Sequence, residues 1–375
     1  MQKIINENKP WIDEVWNKIE TKLSRVAEKS KNKIPYTTKD GVHDDKTNAP
    51  SAWTNGFWPG LMWLMYIETK KEVYKEAAEY SEKALDKALF QYERLYHDVG
   101  FMWHISAGVN YKLTQNQESK NRNLVAAAAL ASRYNVDGGF IRAWNEDNAK
   151  GWAIIDCMMN LPLLYWASDE IDDPRFRQIA MHHADKTMAH HIRPDGSCYH
   201  VVEYDIHNGE VLGMPSSQGY DPVDSAWTRG QAWALYGFVL SYIHTGKQEY
   251  LDTAKKVAHY FIAAVASEGY IPKCDFRQPD EPDYLDTSAG AIAACGLIEI
   301  AKIVPEYEKK LYLKAALNIL KAIEKDHCDW TENEDGIVQN GMELYRKGLQ
   351  LNMVYSDYYF VEAIYKLRGN ELLFW

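Results

Sequence analysis

Apolar and polar positions along the chain alternate between two kinds of helical segment. The first kind is apolar nearly all round, at 60–66, 158–166 and 291–298, and predicts helices that are buried on every side. The second kind is amphipathic and highly charged, at 70–89 and 249–261, and predicts helices with one face in water. Further predicted helices, rich in Ala, Leu, Met and Ile, cover 126–131, 154–167, 231–242, 289–303 and 311–323. This alternation indicates an inner and an outer ring of helices.

A short turn signal, an acidic residue followed by Gly and apolar residues, recurs about every sixty residues. Its six glycines are Gly41, Gly100, Gly139, Gly196, Gly269 and Gly336. Because Gly allows positive φ and Asp bonds its own backbone, each copy predicts a tight turn into a short extended segment. The intervals hold two helices each, so the sequence predicts six helix pairs closed into an all-α toroid. We expect a single domain over residues 1–375.

Composition limits the possible partners and compartments. The formal net charge of −11 argues against nucleic acid and anionic membranes. No apolar run is long enough to cross a bilayer, and the first residues lack the apolar core of a signal peptide. We therefore expect a cytoplasmic monomer or homodimer, or a periplasmic one if a signal peptide was removed. The five cysteines form no Cys-x-x-Cys pair, and they are expected to be reduced packing residues.

Aromatic residues indicate a sugar site. Many of the thirteen Trp residues lie at the ends of apolar helices or in turns, next to Asp, Arg, Gln and His. Core filling explains most single Trp residues, but an aromatic ring with polar neighbours also suits the apolar face and the hydroxyls of a pyranose. The segments 53–58 and 227–233 open two inner helices, and Asp286 and 356–359 occupy matching places in two others. We expect these residues to gather at one rim of the toroid.

Five motifs carry a resemblance to a known family. They lie at 97–101 (HDVGF), 154–157 (IIDC), 198–200 (CYH), 218–219 (QG) and 227–233 (WTRGQAW). From about 53 to 359 the chain resembles the unsaturated glucuronyl hydrolases of glycoside hydrolase family 88. The resemblance implies an (α/α)6 barrel. It also implies removal of a 4,5-unsaturated uronic acid from the non-reducing end of oligosaccharides made by polysaccharide lyases.

The chemistry of that reaction needs a carboxylic acid that is protonated at neutral pH. The substrate is a vinyl ether, and protonation at C4 lets water add at C5, after which the hemiketal opens and the aglycone leaves. One carboxyl group can act first as the acid and then as the base if its pKa is raised. Asp156 lies between apolar residues, and the resemblance implies that it is this general acid/base. A helix N-cap or a buried polar contact is the alternative role for such an Asp.

The resemblance also implies further site residues. Asp98 matches a second essential Asp, although a turn-forming role is equally consistent with its position. His200 and Gln218 match residues around the unsaturated ring. Arg229 matches a pocket Arg that suits the uronate carboxylate, and a salt bridge to a barrel Asp is its alternative role. Four Trp residues and one Tyr are the remaining expected substrate contacts: Trp53, Trp144, Trp227, Trp233 and Tyr358.

Two departures from the family pattern bear on the aglycone. Ser217 stands where relatives often carry a basic residue, and 344–354 lacks the Ser/Lys cluster of sulfate-preferring relatives. A sulfate would then have no dedicated cation, so we expect unsulfated or neutral aglycones to be preferred. A basic residue elsewhere at the mouth, such as Arg346 or Lys347, would reverse that preference. Near Tyr358, Ser356 and Tyr355 also replace the expected Gly and Trp.

Metal and cofactor signals are weak, and two other functions stay open. The His pairs at 182–183 and 190–191 have no companion carboxylate or Cys at ligand spacing, so a solvated helix face is expected instead of a metal site. No phosphate-binding Gly-rich loop is present, and we expect no cofactor.

The first alternative function is an ordinary two-carboxylate glycosidase that uses Asp98 and Asp156. The second is a sugar-binding protein without catalysis.

Overall fold

The computed structural model describes residues 1–215 and 218–375. These residues contain twelve α-helices: α1 Gln2–Ser30, α2 Phe57–Thr69, α3 Glu72–Leu85, α4 Val109–Thr114, α5 Gln117–Ala131, α6 Leu161–Ile171, α7 Pro174–His190, α8 Thr228–Thr245, α9 Gln248–Ser267, α10 Thr287–Ile303, α11 Glu306–His327 and α12 Val354–Leu367. A π-helix at Gly100–Gly108 runs directly into α4. None of the helices in this described part is both long and apolar enough to span a bilayer.

The helices form the two rings that the sequence predicts. The inner ring is α2, the π-helix with α4, then α6, α8, α10 and α12, and each of these packs on the next. Contacts between α12 and α2 close the ring. The odd-numbered helices pack outside it, and α1 lies between α3 and α11 against α12. This is an (α/α)6 barrel, and the predicted fold is confirmed.

Burial follows the two sequence patterns. In α2 every residue from Phe57 to Met65 is buried, and in α10 every residue from Thr287 to Ala301. The outer helix α3 buries one stripe, including Tyr74, Ala77 and Ala78, at the three- and four-residue spacing of an amphipathic helix. Periodicity therefore places each helix in the correct ring.

Short strands lie in the connections from outer to inner helices. They are β1 Thr38–Lys39, β2 Val42–His43, β3 Tyr134–Asn135, β4 Phe140–Ile141, β5 Trp152–Ile154, β6 Val201–Tyr204, β7 Val211–Gly213, β8 Gly341–Met342 and β9 Gln350–Leu351. The turn signals at Gly41 and Gly139, both with positive φ, form the β1–β2 and β3–β4 hairpins. Because inner and outer helices alternate, all these connections meet at one end of the barrel, which we call the rim.

Two local predictions are wrong. Gly100 starts the π-helix, so no extended segment follows it, and a Cβ at this position would lie 2.8 Å from the Cα of Asn160. The predicted helix 154–167 begins late. Ile154 ends β5 and pairs with Val201, a 3₁₀ turn covers Ile155–Met159, and α6 starts only at Leu161. Both errors arise where tertiary packing overrides local propensity.

Trp375 closes the end of the barrel opposite the rim. Its side chain is 1% exposed and stacks on Tyr359 at 6.0 Å, with Phe101 at 5.9 Å. The indole Nε1 donates to Glu362 Oε2 at 3.3 Å, and Tyr236 donates to the other carboxylate oxygen at 2.6 Å. The residue therefore fills the axis of the inner ring and satisfies a buried carboxylate.

We expect Trp375→Ala to lower the free energy of unfolding by about 3–5 kcal/mol, because the large cavity cannot collapse between rigid helices. Urea unfolding followed by circular dichroism measures the change. Tyr307→Ala is the control, since Tyr307 is 84% exposed and its loss should cost within about 0.5 kcal/mol. Equal stability of the two variants would contradict this assignment.

Candidate active site

A cavity of about 150 Å³ lies at the rim. Seven of the ten predicted site residues line it: Trp53, Asp98, Trp144, Asp156, Gln218, Trp227 and Arg229. Six others that the sequence did not single out as site residues complete the wall: Tyr36, His97, Ile154, Glu343, Leu344 and Tyr355. Carboxyl groups, one guanidinium and several aromatic rings therefore meet in a space that admits the end of a ligand.

The β5–β6 pairing positions Asp156. The residue lies in the 3₁₀ turn directly after β5, and the Ile155 N–H donates to the His200 carbonyl at 2.9 Å. This brings His200 Nε2 to 3.6 Å from Asp156 Oδ1, an oxygen with no hydrogen-bond partner among the described residues. Burial, and then the charge of Asp98, raise the pKa of Asp156 to about 8. The carboxyl is therefore protonated at neutral pH.

Asp98 lies just before the π-helix, next to His97. Burial raises the pKa of Asp98 to about 7, and the Arg133 charge opposes that rise. His97 Nδ1 lies 3.1 Å from the Ala143 carbonyl, which only accepts, so the proton of this ring is on Nδ1. Burial lowers the pKa of His97 to about 3, so the ring is neutral and Nε2 carries a lone pair. That atom is 3.1 Å from Asp98 Oδ1.

Arg229 is held in the cavity wall by the salt bridge that was its alternative role. Its Nη1 donates to Asp286 Oδ2 at 2.6 Å, and its Nη2 donates to the Glu343 carbonyl at 2.7 Å. Its guanidinium also lies 4.7 Å from the centre of the Trp227 ring. Among the described residues that line the cavity, it supplies the single cationic side chain.

Three predicted site residues lie outside the cavity lining. Trp233 and Tyr358 are fully buried in the barrel core, where Trp233 packs on Phe101 at 5.1 Å and Tyr358 packs on Phe57 at 5.4 Å. Both residues follow the first turn of an inner helix, so their rings lie below the rim. We therefore no longer assign them as substrate contacts. His200 packs on Trp227, with the two ring centres 4.5 Å apart, and its Nε2 lies 3.6 Å from Asp156 Oδ1.

Two further expectations concern the histidine pairs and Ser217. The solvated helix face is wrong for His183 and His191, which are fully buried, and His183 Nδ1 accepts from the Ile141 N–H at 3.0 Å. Within 1–215 and 218–375, no three His, Cys, Asp or Glu side chains come together as a potential metal site. Ser217, on which the expected aglycone preference partly rests, lies outside the described residues.

Sequence reasoning missed Arg133. It follows the outer helix α5, where a lone Arg is typical of an exposed cation. The guanidinium instead donates to the carbonyls of Arg142 at 2.8 Å, Leu95 at 2.7 Å and Ala143 at 3.1 Å. It thereby joins the segment before His97 to the strand-like segment that carries Trp144. No local pattern signals this role, because the acceptors are backbone atoms from distant segments.

The shifted pKa of Asp156 predicts a pH-dependent cost in stability. Between about pH 4 and pH 8 the folded protein keeps a proton that the unfolded chain has released, so the free energy of unfolding falls as pH rises. Asn binds no proton, and we expect Asp156→Asn to be more stable than wild type at pH 7.5 by on the order of 2–4 kcal/mol, with little difference at pH 4. Urea unfolding at both values measures this. The exposed Asp252→Asn is the control, and parallel pH profiles for all three proteins would refute the effect.

The chain matches known proteins over nearly its whole length. Residues 26–369 match the model of Glycosyl Hydrolase Family 88. An unsaturated glucuronyl hydrolase of Bacillus sp. (strain GL1) is 34% identical over 94% of this chain and 95% of its own. An unsaturated chondroitin disaccharide hydrolase of Streptococcus pyogenes serotype M1 is 33% identical over 90% and 86%.

Solved structures agree with these matches. The crystal structure of the Bacillus sp. GL1 unsaturated glucuronyl hydrolase has a TM-score of 0.87 at 34% identity and covers 94% of this chain and 96% of its own. An unsaturated glucuronyl hydrolase specific for heparin has a TM-score of 0.88 at 30% identity, over 96% of this chain and 97% of its own. On this evidence of sequence, fold and site, the chain belongs to glycoside hydrolase family 88.

Proposed function

We propose that this chain is an unsaturated glucuronyl hydrolase that removes a terminal 4,5-unsaturated uronic acid from lyase-generated oligosaccharides. The observation that carries the proposal is the Asp156 carboxyl, which lines the rim cavity with its side chain 16% exposed and is protonated at neutral pH. Hydration of a vinyl ether needs such an acid. The names of the Bacillus and Streptococcus relatives support the same reaction.

The cavity suits one sugar ring at a chain end. It is closed below by the barrel core, so a ligand can enter with its terminus only. Trp53, Trp144 and Trp227 supply rings for the apolar faces of a pyranose, and Gln218 supplies an amide for its hydroxyls. The uronate carboxylate is assigned to the side of Arg229, since an anion that enters an acidic protein needs a local cation.

The reaction starts with the acid form of Asp156. The carboxyl proton goes to C4, the C4=C5 electron pair forms the new C–H bond, and positive charge develops on C5 and the ring oxygen. The resulting carboxylate then takes a proton from water while the water oxygen bonds to C5, which restores the acid. The hemiketal opens to a C5 ketone, and collapse of the C1 hemiacetal releases the aglycone hydroxyl. Water is consumed, and no other reactant is needed.

The neighbouring groups favour the protonated form of Asp156, with which the reaction starts. The charge of Asp98 contributes to the raised pKa of Asp156, and His97 Nε2 lies 3.1 Å from Asp98 Oδ1. Burial lowers the pKa of His200 well below its ordinary value, so this ring is neutral and does not compete as an acid. Asp156 is therefore the carboxyl of this pair that keeps its proton to the higher pH.

The two-carboxylate alternative fits the same cavity less well. A glycosidase of that type needs one carboxyl ionised at neutral pH as nucleophile or base, and one protonated as acid. Burial raises both pKa values here, that of Asp98 to about 7 and that of Asp156 to about 8. We therefore rank hydration first.

The aglycone preference stays a prediction. The 3₁₀ turn Tyr345–Lys347 directly follows Glu343 and Leu344, which line the cavity, so Arg346 and Lys347 lie near the mouth. Lys347 is paired with Glu343 at 2.8 Å, which reduces its availability to a sulfate. Rates on matched sulfated and unsulfated disaccharides decide the preference.

Two readouts test the reaction. An unsaturated uronyl disaccharide should lose its near-ultraviolet absorbance as the aglycone is released, because hydration removes the C4=C5 bond. In H₂¹⁸O the label should appear at C5 of the keto acid and not on the aglycone, as measured by mass spectrometry. Label at C1, or cleavage of a saturated substrate, would favour the two-carboxylate glycosidase. Binding without turnover would favour the sugar-binding alternative.

Asp156→Asn should lower kcat by about 10²–10⁴-fold, because Asn has the same shape but cannot donate a proton to carbon. Substrate affinity should remain close to wild type, measured by calorimetry with the unsaturated disaccharide. Asp252→Asn, which removes an exposed carboxyl, should keep full activity. Retention of more than a tenth of wild-type kcat by Asp156→Asn would show that another group is the proton donor.

A further inference from the structure

A second concave site lies next to the wall of the catalytic cavity. It has a volume of about 270 Å³, and we call it the rim pocket, defined by Tyr92, Arg133, Tyr134, Arg142, Asn145 and Lys150. Asn145 directly follows Trp144, which lines the catalytic cavity. None of the six residues has a part in the reaction proposed above.

The charge of the rim pocket is largely uncompensated. The hydrogen bonds of Arg133 go to carbonyl and amide oxygens. Arg142 donates to the Glu146 carbonyl, and its Nε has no partner among the described residues. Lys150 pairs with Asp147 at 3.2 Å, but that carboxylate is 98% exposed and therefore weakly bound. Three cations thus share one concavity in a chain of net charge −11.

The two guanidiniums repel each other. Burial, and then the charge of Arg142, lower the pKa of Arg133. Like charges at close range are unfavourable unless an anion lies between them, and guanidiniums are the side chains best suited to bind carboxylate or sulfate. The cation cluster therefore fits an oxyanion of the ligand.

Aromatic residues indicate that the oxyanion belongs to a sugar. Tyr92 is 75% exposed beside the cations, although large apolar rings are ordinarily withdrawn from water. Tyr134 also lines the pocket, with its hydroxyl at 3.0 Å from His182 Nδ1. An inorganic ion has no apolar face that could contact these rings. A pyranose that carries an anionic group can stack on one of them.

We propose that the rim pocket binds an acidic sugar unit, with a carboxylate or a sulfate, as a second saccharide site separate from the catalytic cavity. The oxyanion contacts Arg142 and Lys150, and the sugar ring stacks on Tyr92. The proposal does not depend on the reaction, because a saccharide could bind here without turnover. Its failure and the failure of the proposed function are thus distinguishable.

The test substitutes the two cations with few contacts of their own, since Arg142 donates to the Glu146 carbonyl and Lys150 forms an exposed ion pair with Asp147. Arg133 is left intact, because its bonds to the Leu95 and Ala143 carbonyls hold both sides of the catalytic wall. The variant is Arg142→Gln with Lys150→Gln in the full-length protein. The matched control is Lys310→Gln with Lys314→Gln. Both lysines are exposed on α11, and their substitution removes the same amount of positive charge.

Isothermal titration calorimetry compares three probes: a hyaluronan hexasaccharide with a saturated non-reducing end, neutral cellohexaose and inorganic sulfate. We expect the double variant to bind the hyaluronan probe about 10- to 100-fold more weakly than the control does, since each lost charge-assisted contact is worth about tenfold. Cellohexaose binding should be the same in both. Turnover of a small unsaturated disaccharide should also be the same in both.

Equal binding of the hyaluronan probe by the double variant and the control would overturn the proposal. Binding of sulfate without binding of the hexasaccharide would overturn the assignment to a sugar. Tyr92→Ala gives an independent check, because the exposed ring contributes little to folding. It should weaken binding of the hexasaccharide and leave that of sulfate unchanged. An unchanged hexasaccharide affinity in Tyr92→Ala would remove the stacking contact from the proposal.

Discussion

The inner ring of helices has no face in water, and this constraint decides where the chemistry of the molecule can lie. A helix that is buried all round can carry polar side chains only where they find partners or where the helix ends. The buried carboxylate of Glu362 illustrates the first case, since Tyr236 and Trp375 both donate to it. Asp286 illustrates the second, since it caps α10 and pairs with Arg229. The candidate site therefore gathers at the rim, where the inner helices begin.

The same burial determines the protonation states at the site. Removing water raises the pKa of a carboxyl and lowers that of an imidazole, and both effects favour neutral groups. Asp98, Asp156, His97 and His200 all follow this rule. Arg229 stays charged because Asp286 accompanies it. At neutral pH the site therefore holds two uncharged imidazoles, a largely protonated Asp156 and a partly ionised Asp98.

The predictable part of the structure is the part that depends on periodicity. Apolar and amphipathic stretches separate inner from outer helices because each pattern reports one kind of burial. Asp156 was assigned through the family resemblance of its motif, and its apolar neighbours in the chain agreed with a raised pKa. Trp233 and Tyr358 were expected at the substrate site but lie in the core. A sequence motif gives the order of residues, and it does not report how far from the rim each side chain lies along its helix. The structure of Gly100 was predicted wrongly because this position packs closely on Asn160, which lies sixty positions away in the chain.

Arg133 shows why such long-range effects matter for function. Its guanidinium bridges the Leu95 and Ala143 carbonyls, and the Ala143 carbonyl also accepts from His97. His97 Nε2 lies 3.1 Å from Asp98 Oδ1, and the charge of Asp98 contributes to the raised pKa of Asp156. Contacts and charge together therefore connect a basic pocket on the rim to the Asp156 carboxyl. Because the charge of Arg133 also opposes the rise in the Asp98 pKa, an anion beside this guanidinium would raise the pKa of Asp98 further.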